Sequence, residues 1–134
     1  MCSSDLSHHL SVIYRGRFAL DIPEWRVIAT VGQEHGCTAQ YVAHSTRMHK
    51  TRVSRAIAHL IQRGLIERAA NARDRREMRL RLTRSGRRMY AQLVSLALQR
   101  ERALLECMSA VELGGFVRGL DRLEEFLDLR STPR

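Results

Sequence analysis

The stretch that decides the fold runs from Lys50 to Arg88 and reads KTRVSRAIAHLIQRGLIERAANARDRREMRLRLTRSGRR. Apolar residues repeat at helical spacing over residues 50–63, and Gly64 follows as a turn residue. Further on, apolar residues and arginines alternate at period two in MRLRLT (78–83), which is typical of a strand. LIERAA (65–70) precedes it, so the pattern predicts a helix, a turn and two short strands around a charged loop.

The residues before this stretch predict two more helices. Asp21 with Glu24 three positions later is a capping-box pattern, and it opens the segment WRVIATVGQEHG. Thr38 caps a short segment, AQYVAHS, and His49 caps the basic helix that follows. Two short helices joined by a tight turn, the second basic on its outer face, form a helix-turn-helix pattern. With the hairpin behind it, the pattern predicts a winged helix.

The positive charge of the chain is concentrated in this region. Residues 47–88 hold fourteen Lys or Arg and three acidic residues, a local charge of +11 in a chain whose net charge is +9. A clustered charge of this size favours a polyanionic partner, nucleic acid first and an anionic membrane surface second. All basic residues except Lys50 are arginine. Two explanations of that skew stay open, bidentate phosphate and guanine contacts or a GC-rich genome.

A helix fits the major groove, where Arg can bond guanine and Ser or Thr can meet bases or phosphates. The predicted contacts on the basic helix are Lys50, Thr51, Arg52, Ser54, Arg55 and His59. Those on the wing, whose arginines could enter a minor groove, are Arg73, Asp74, Arg75 and Arg76. Asp74 is expected to orient Arg76 through a charge-assisted bond. The competing interpretations are a solvated charged face and a solubilising loop.

The two ends of the chain predict further helices with surplus apolar surface. A loosely amphipathic helix is expected over about 6–19, and Thr83 caps a long helix over 84–108. Ser109 and Glu112 form a second capping box, which opens a last helix that extends to near Leu129. The apolar surface is wider than one stripe, which favours a homodimer interface over packing within one subunit.

The motif KTRVSRAIAHLIQRGLIER…DRREMRLRLTRSG resembles the MarR family of bacterial transcriptional regulators, and IPEWRVIATV and TAQYVAHSTRM match the family's preceding helices in pattern. The resemblance implies a mainly α fold with a small β-hairpin: a winged helix-turn-helix with N- and C-terminal dimerisation helices. It implies one domain over 1–134, with dimerisation helices at about 6–20 and 109–130, the winged helix-turn-helix at about 24–83 and a linking helix at 84–108. The implied function is a homodimeric repressor that binds double-stranded DNA at a pseudo-palindromic operator.

The resemblance also implies an effector, a small aromatic or phenolic ligand that releases the repressor from DNA. An anionic aromatic needs a cation and a stacking surface; the candidates are His8, His9, Tyr14, Arg15, Arg17, Trp25 and Arg26. Ordinary packing is the competing role for each of them. A thiol switch at Cys2 is the rival signal. Six histidines are present, but no acid or Cys stands at ligand spacing beside them, so no metal or other cofactor is expected.

Other classes of protein fit the sequence less well. It has no glycine-rich phosphate loop, no paired carboxylates on a polar face and no meaningful nucleophile–base order, so we expect no enzyme. It has no signal peptide and no apolar run that could span a bilayer, so a cytoplasmic protein is expected. Two alternatives remain: a basic protein that binds nucleic acid without sequence preference, and a ligand-binding or redox adaptor whose winged helix contacts protein.

Overall fold

The helices and strands follow the predicted order, with one strand that the sequence did not predict. A computed structural model of the chain describes residues 15–70, 73–74 and 77–127. Its elements are α1, of which 15–18 are described, α2 (Ile22–Gln33), β1 (Cys37–Thr38), α3 (Ala39–Thr46), α4 (Lys50–Gln62), β2 (Ile66–Ala70), β3 (Met78–Leu82), α5 (Arg84–Glu106) and α6 (Ala110–Phe126). Most of the helix predicted over about 6–19 lies outside the described residues. The chain divides into two compact units between Gln92 and Leu93.

The helices begin where their capping residues were predicted. The Asp21 carboxylate accepts a hydrogen bond from the Glu24 N–H (2.9 Å), and the Glu24 carboxylate accepts one from the Asp21 N–H (3.1 Å). Thr38 Oγ1 caps α3, His49 Nδ1 caps α4, and Ser109 with its partner three residues on caps α6. Each cap satisfies an N–H that has no partner within its helix. The predicted caps are therefore confirmed.

The sheet has three antiparallel strands in the order β1-β3-β2. β2 and β3 form the predicted hairpin, with Ile66 opposite Leu82 and Ala70 opposite Met78. β1 pairs with the other edge of β3 and places Cys37 opposite Leu80. The predicted two-stranded sheet is thus corrected to three strands, while the predicted fold class, a mainly helical winged helix, is confirmed.

The core of the first unit, up to Gln92, lies under α4. Val53, Ile57 and Leu60 form the buried stripe of this helix, as its periodicity predicts. α4 packs mainly against α2 and α3, and the sheet closes the core. The other side chains that are almost fully buried are Leu20, Val27, Ile28, Val31, Val42 and Ile66. This packing leaves the opposite face of α4 exposed.

Hydrogen bonds made by Thr83 join the residues that follow α4 to the start of α5. Thr83 Oγ1 donates to the carbonyl of Gly64 (2.6 Å) and accepts from the N–H of Gly86 (3.0 Å), while the Thr83 N–H donates to the carbonyl of Leu65 (3.1 Å). A Cβ added at Gly86 would lie 1.9 Å from that same carbonyl oxygen. The spacing in LTRSG therefore has a physical reason, because the chain needs a hydroxyl at Thr83 for these hydrogen bonds and no side chain at Gly86.

The second unit, from Leu93 onward, carries many exposed apolar side chains. Leu113 and Gly114 are half-buried, and every other residue of α6 is exposed. Val111 and Phe126 are exposed to 82% and 85%. The other large apolar side chains exposed here are Val94, Leu98, Leu104, Leu105, Phe116, Val117, Leu120, Leu123 and Leu127. The helix ends at Phe126 with Leu127 as its C-cap, a few residues before the end predicted near Leu129.

Candidate nucleic-acid interface

The exposed face of α4 holds all six side chains that the sequence predicts for it. Lys50, Thr51, Arg52, Ser54, Arg55 and His59 are each exposed, and the buried residues Val53, Ala56, Ile57 and Leu60 occupy the other side. The first five lie within the first two turns. The structure thus brings the predicted residues together on one surface.

The turn before α4 sets where this face begins. Arg47 takes the left-handed backbone conformation (φ 56°) that ends α3, and its N–H donates to the carbonyl of His44 (3.3 Å). His49 then caps α4, with its Nδ1 accepting from the N–H of Thr51 (3.2 Å). Lys50 and Arg52 consequently stand in the first helical turn. Basic side chains and the positive end of the helix dipole therefore lie together, an arrangement that attracts a phosphate.

His59, in contrast, is engaged within the protein. Its Nδ1 is hydrogen-bonded to Oε1 of Glu24, whose side chain is 6% exposed while that of His59 is 53% exposed. Glu24 uses its other carboxylate oxygen in the capping box of α2. The sequence predicted that capping role only. A partner 35 residues away leaves no local signal, so this second contact could not be read from the spacing.

The wing is described in part. Arg73 and Asp74 are exposed, and the N–H of Glu77 donates to the carbonyl of Asp74 (3.2 Å). Arg75 and Arg76 lie outside the described residues, so the pairing of Asp74 with an arginine stays a prediction. At the root of the wing, Arg79 Nη2 donates to the carbonyl of Gly36 (2.8 Å) and so fastens β3 to the segment that leads into β1.

Cys37 lies in β1, beside these residues, and its thiol has a low reactivity. Burial of the thiol, reinforced by the negative charge of Glu34, raises the pKa of Cys37 from 9.0 to about 11, against the opposing effect of Arg79. A thiol with so high a pKa holds little thiolate at neutral pH, and the thiolate is the reactive form. Cys107 is exposed, with its Sγ donating to the carbonyl of Leu104. Cys2 lies outside the described residues.

Tyr41 is hydrogen-bonded to the carboxylate of Glu34. A side-chain hydrogen bond to Glu34 raises the pKa of the Tyr41 hydroxyl, because the bond favours its protonated form. Tyr41 stands at the third helical position after the Thr38 cap, and its N–H donates to Thr38 Oγ1 (3.0 Å). Tyr41 stands where a capping box has an acidic residue. Its N–H still bonds the Thr38 side chain, and its hydroxyl adds a hydrogen bond to Glu34 at the end of α2.

A cavity of about 340 Å³ opens in the first unit beside the end of α2. Its apolar wall is formed by Val31, Gly32 and Leu82. The polar and aromatic residues that line it are His35, Arg81, Arg87 and Tyr90. Such a site could receive a flat molecule with an anionic end. Sequence reasoning missed it, because its lining residues come mainly from three elements, α2, β3 and α5, that are far apart in the sequence.

The four predicted effector residues that the structure describes do not line this cavity. Arg15, Arg17 and Arg26 are exposed, Trp25 is half-buried, and none of these four residues lines it. The guanidinium of Arg17 lies 5.8 Å from the ring centre of Phe18, at cation–π distance. His8, His9 and Tyr14 lie outside the described residues. In the described part of the chain, no three His, Cys, Asp or Glu side chains group as a metal site would require.

Comparison with known proteins shows which family the chain is similar to. A sequence model of the MarR family matches residues 20–77, the span that contains the helix-turn-helix and most of the hairpin. FabT of Streptococcus pneumoniae, solved in complex with DNA, is 26% identical, with a TM-score of 0.85 over 95% of this chain and 90% of that one. The chain is therefore similar to the MarR family in the sequence of this span and in its fold.

Two further solved structures of MarR-family regulators are similar to this chain. A MarR/EmrR family transcriptional regulator from Acinetobacter sp. ADP1 is 26% identical, with a TM-score of 0.82 over 96% of this chain and 91% of that one. A MarR family regulator from Silicibacter pomeroyi is 29% identical, with a TM-score of 0.72 over 91% and 89%. No curated protein matches the sequence. The resemblance to the MarR family predicted from the motif is therefore confirmed.

None of the described helices combines the length and the apolar composition that crossing a bilayer requires.

Proposed function

We propose that this protein is a sequence-specific DNA-binding transcriptional regulator that acts as a homodimeric repressor. The observation that carries the proposal is the face of α4, where five polar or basic side chains stand exposed in the first two turns above a rigid apolar stripe. Arg52 and Arg55 can reach guanine edges, Thr51 and Ser54 can bond bases or phosphates, and Lys50 suits a phosphate. Arg73, and with it Arg75 and Arg76, would follow the minor groove.

The second unit supports the homodimer. Along α6, Phe116, Leu120, Leu123 and Leu127 keep helical spacing, and all four are exposed. An exposed apolar face of this kind on a regulator is best covered by a second copy of the chain. A two-fold axis through that interface would present two copies of α4 to two half-sites, so the operator would be pseudo-palindromic.

The cavity beside α2 supports release by a small acidic ligand. Arg81 and Arg87 can pair with a carboxylate, and Tyr90 offers an aromatic surface. Benzoate should raise the melting temperature, because a ligand that binds only the folded state stabilises it. Arg81→Gln should reduce that rise, whereas Arg68→Gln, which removes another exposed strand arginine, should leave it unchanged. An equal rise in both variants would place the ligand elsewhere.

Selection of bound genomic fragments tests the proposal directly. We expect a small set of fragments that share a pseudo-palindrome, and protection of two half-sites one helical turn apart in a footprint. The fragment bound most tightly should exceed a shuffled duplex of equal length by about 10³-fold or more at one salt concentration. Equal binding to both duplexes, with log K falling steeply with log salt for each, would instead identify a nonspecific basic protein.

A further inference from the structure

The C-terminal part of α4 is fastened to the junction between α1 and α2, which comprises residues 18–24. Three side-chain hydrogen bonds make this connection, one from His59 and two from Arg63. His59 and Arg63 are four residues apart, so their side chains project from the same side of the helix. The two residues reach different parts of the junction, one the start of α2 and the other the end of α1.

Arg63 binds the end of α1. Its Nη1 donates to the carbonyl of Ala19 (2.9 Å) and its Nη2 to the carbonyl of Phe18 (3.0 Å). Carbonyls at a helix C-terminus have no partner within the helix, and Ala19 turns the chain away through a left-handed conformation (φ 50°). The guanidinium is planar and presents two parallel N–H groups, which suits two adjacent carbonyls. A lysine could satisfy them only as a single point donor.

His59 binds the start of α2. The carboxylate of Glu24 lies buried and is shared, because Oε2 accepts from the N–H of Asp21 while Oε1 is bonded to His59 Nδ1. The direction of Glu24 is therefore set by its own helix before the contact with α4 is made. His59 meets an acceptor that is already oriented, which fixes the angle at which α4 crosses α2.

We propose that Arg63 and His59 are positioning residues for DNA recognition, acting at the end of α4 remote from the bases. This inference rests on the function proposed above. Apolar packing is non-directional, whereas these hydrogen bonds are directional, so they select one orientation of α4 among those its apolar stripe would permit. Position 63 lies about 20 Å along the helix axis from Lys50, at 1.5 Å per residue. A small change of angle at one end becomes a displacement at the other, where base contacts tolerate about 0.5 Å.

The variants Arg63→Ala, Arg63→Lys and His59→Ala test the inference in the full-length protein. The control is Arg84→Ala, which removes one positive charge from an exposed position of α5. Affinity is measured for the best genomic fragment and for its shuffled duplex, over a range of salt and at a temperature where circular dichroism shows every variant folded. The ratio of the two affinities reports specificity, and the salt slope reports the number of phosphate contacts.

We expect Arg63→Ala and His59→Ala each to lower the affinity ratio by about tenfold, the size of one lost bidentate base contact, with the salt slope unchanged. Arg63→Lys should recover part of the loss, and the double variant should lose less than the product of the single effects, because both residues hold one junction. A slope reduced by about one would show a phosphate contact at that residue and overturn the inference.

A wild-type ratio retained by the folded variants, with only a lowered melting temperature, would show a purely structural role and would equally overturn the inference. Failure of the proposed function is a separate result, since the wild-type protein itself would then show no preference for any fragment.

Discussion

The ring of Tyr90 in α5 lies directly against the backbone of Gly32 in α2. A Cβ added at residue 32 would stand 2.6 Å from two ring carbons, closer than such atoms can approach. The glycine is therefore kept in the last turn of a helix, where glycine otherwise costs stability, because the ring needs its space. The contact also forms one side of the cavity beside α2.

Gly32→Ala should lower the free energy of unfolding by about 1–3 kcal/mol, because the strain of overpacking exceeds the gain in helix propensity. In a Tyr90→Ala background the same substitution should become neutral or stabilising, because the obstructing ring is gone. Urea denaturation of the four proteins measures this double-mutant cycle. Equal effects of Gly32→Ala in both backgrounds would show that the ring does not decide the outcome.

Gly86→Ala and Gly115→Ala should act in opposite directions. At Gly86 the new methyl meets a backbone carbonyl at 1.9 Å, so the joint between α4 and α5 must open, at a cost of about 2 kcal/mol or more. At Gly115, in α6, nothing lies within 4 Å, so alanine should stabilise by about 0.5–1 kcal/mol. Denaturation midpoints measure both. A destabilising Gly115→Ala would reveal a contact with something other than the described residues of this chain.

The raised pKa of Cys37 predicts a loss of stability in alkaline solution. The folded protein retains the thiol proton up to about pH 11, whereas the unfolded chain releases it near 9.0. The unfolded state therefore binds fewer protons between these values, and the free energy of unfolding falls as pH rises through them. Below pH 9 the contribution is fully present. Urea denaturation of the wild-type and Cys37→Ala proteins between pH 8 and about 11 measures the difference.

The two described cysteines should also differ in reactivity. At neutral pH, an iodoacetamide reagent should label exposed Cys107 and spare buried Cys37 in the native protein. Mass spectrometry of the labelled peptides distinguishes the two sites. Rapid native labelling of Cys37 would show that its burial is transient.

Leu120→Glu should weaken self-association, because it places a charge in the exposed apolar face of α6. The matched control is Arg122→Glu, which introduces the same acid on the opposite side of this helix. Sedimentation equilibrium should show a shift from dimer to monomer for the first variant alone. Should both variants remain dimeric, the interface must use another surface.

Arg55→Ala should cost about 1–3 kcal/mol of operator affinity and relax the preference at one base step, because it removes a base contact. Lys50→Ala should instead lower affinity for operator and shuffled duplex alike and reduce the salt slope by about one, as expected for a phosphate contact. Fluorescence anisotropy with base-substituted operators separates the two behaviours. An identical profile for both variants would refute this division of roles.

The sequence predicted those parts of the fold that depend on local interactions. Capping residues act within three positions, and the stripe of α4 repeats every three or four, so Asp21, His49 and the buried face of α4 were all recognisable. β1 was not, because a strand of two residues has no periodicity and exists only through its pairing with Leu80 and Arg79. Propensity carries no information about such a partner.

The same limit applies to the candidate site. Exposure of Lys50 and Arg55 follows from the helical period, but the bonds from Arg63 to Phe18 and from His59 to Glu24 join residues 35 to 45 positions apart. The cavity beside α2 likewise collects its lining from α2, β3 and α5. Contacts of this range arise from the packing of elements, which one sequence does not specify in advance.

The sharing of Glu24 has a consequence for redesign. The carboxylate of Glu24 bonds both the start of α2 and His59 of α4, so a substitution of Glu24 removes two contacts at once. Among the described contacts, the exposed side chains between Lys50 and Arg55 make no hydrogen bond to a residue distant in the sequence. A library of variants intended to bind a new DNA sequence should therefore vary the first two turns of α4. It should leave the C-terminal end of the helix, with His59 and Arg63, unchanged.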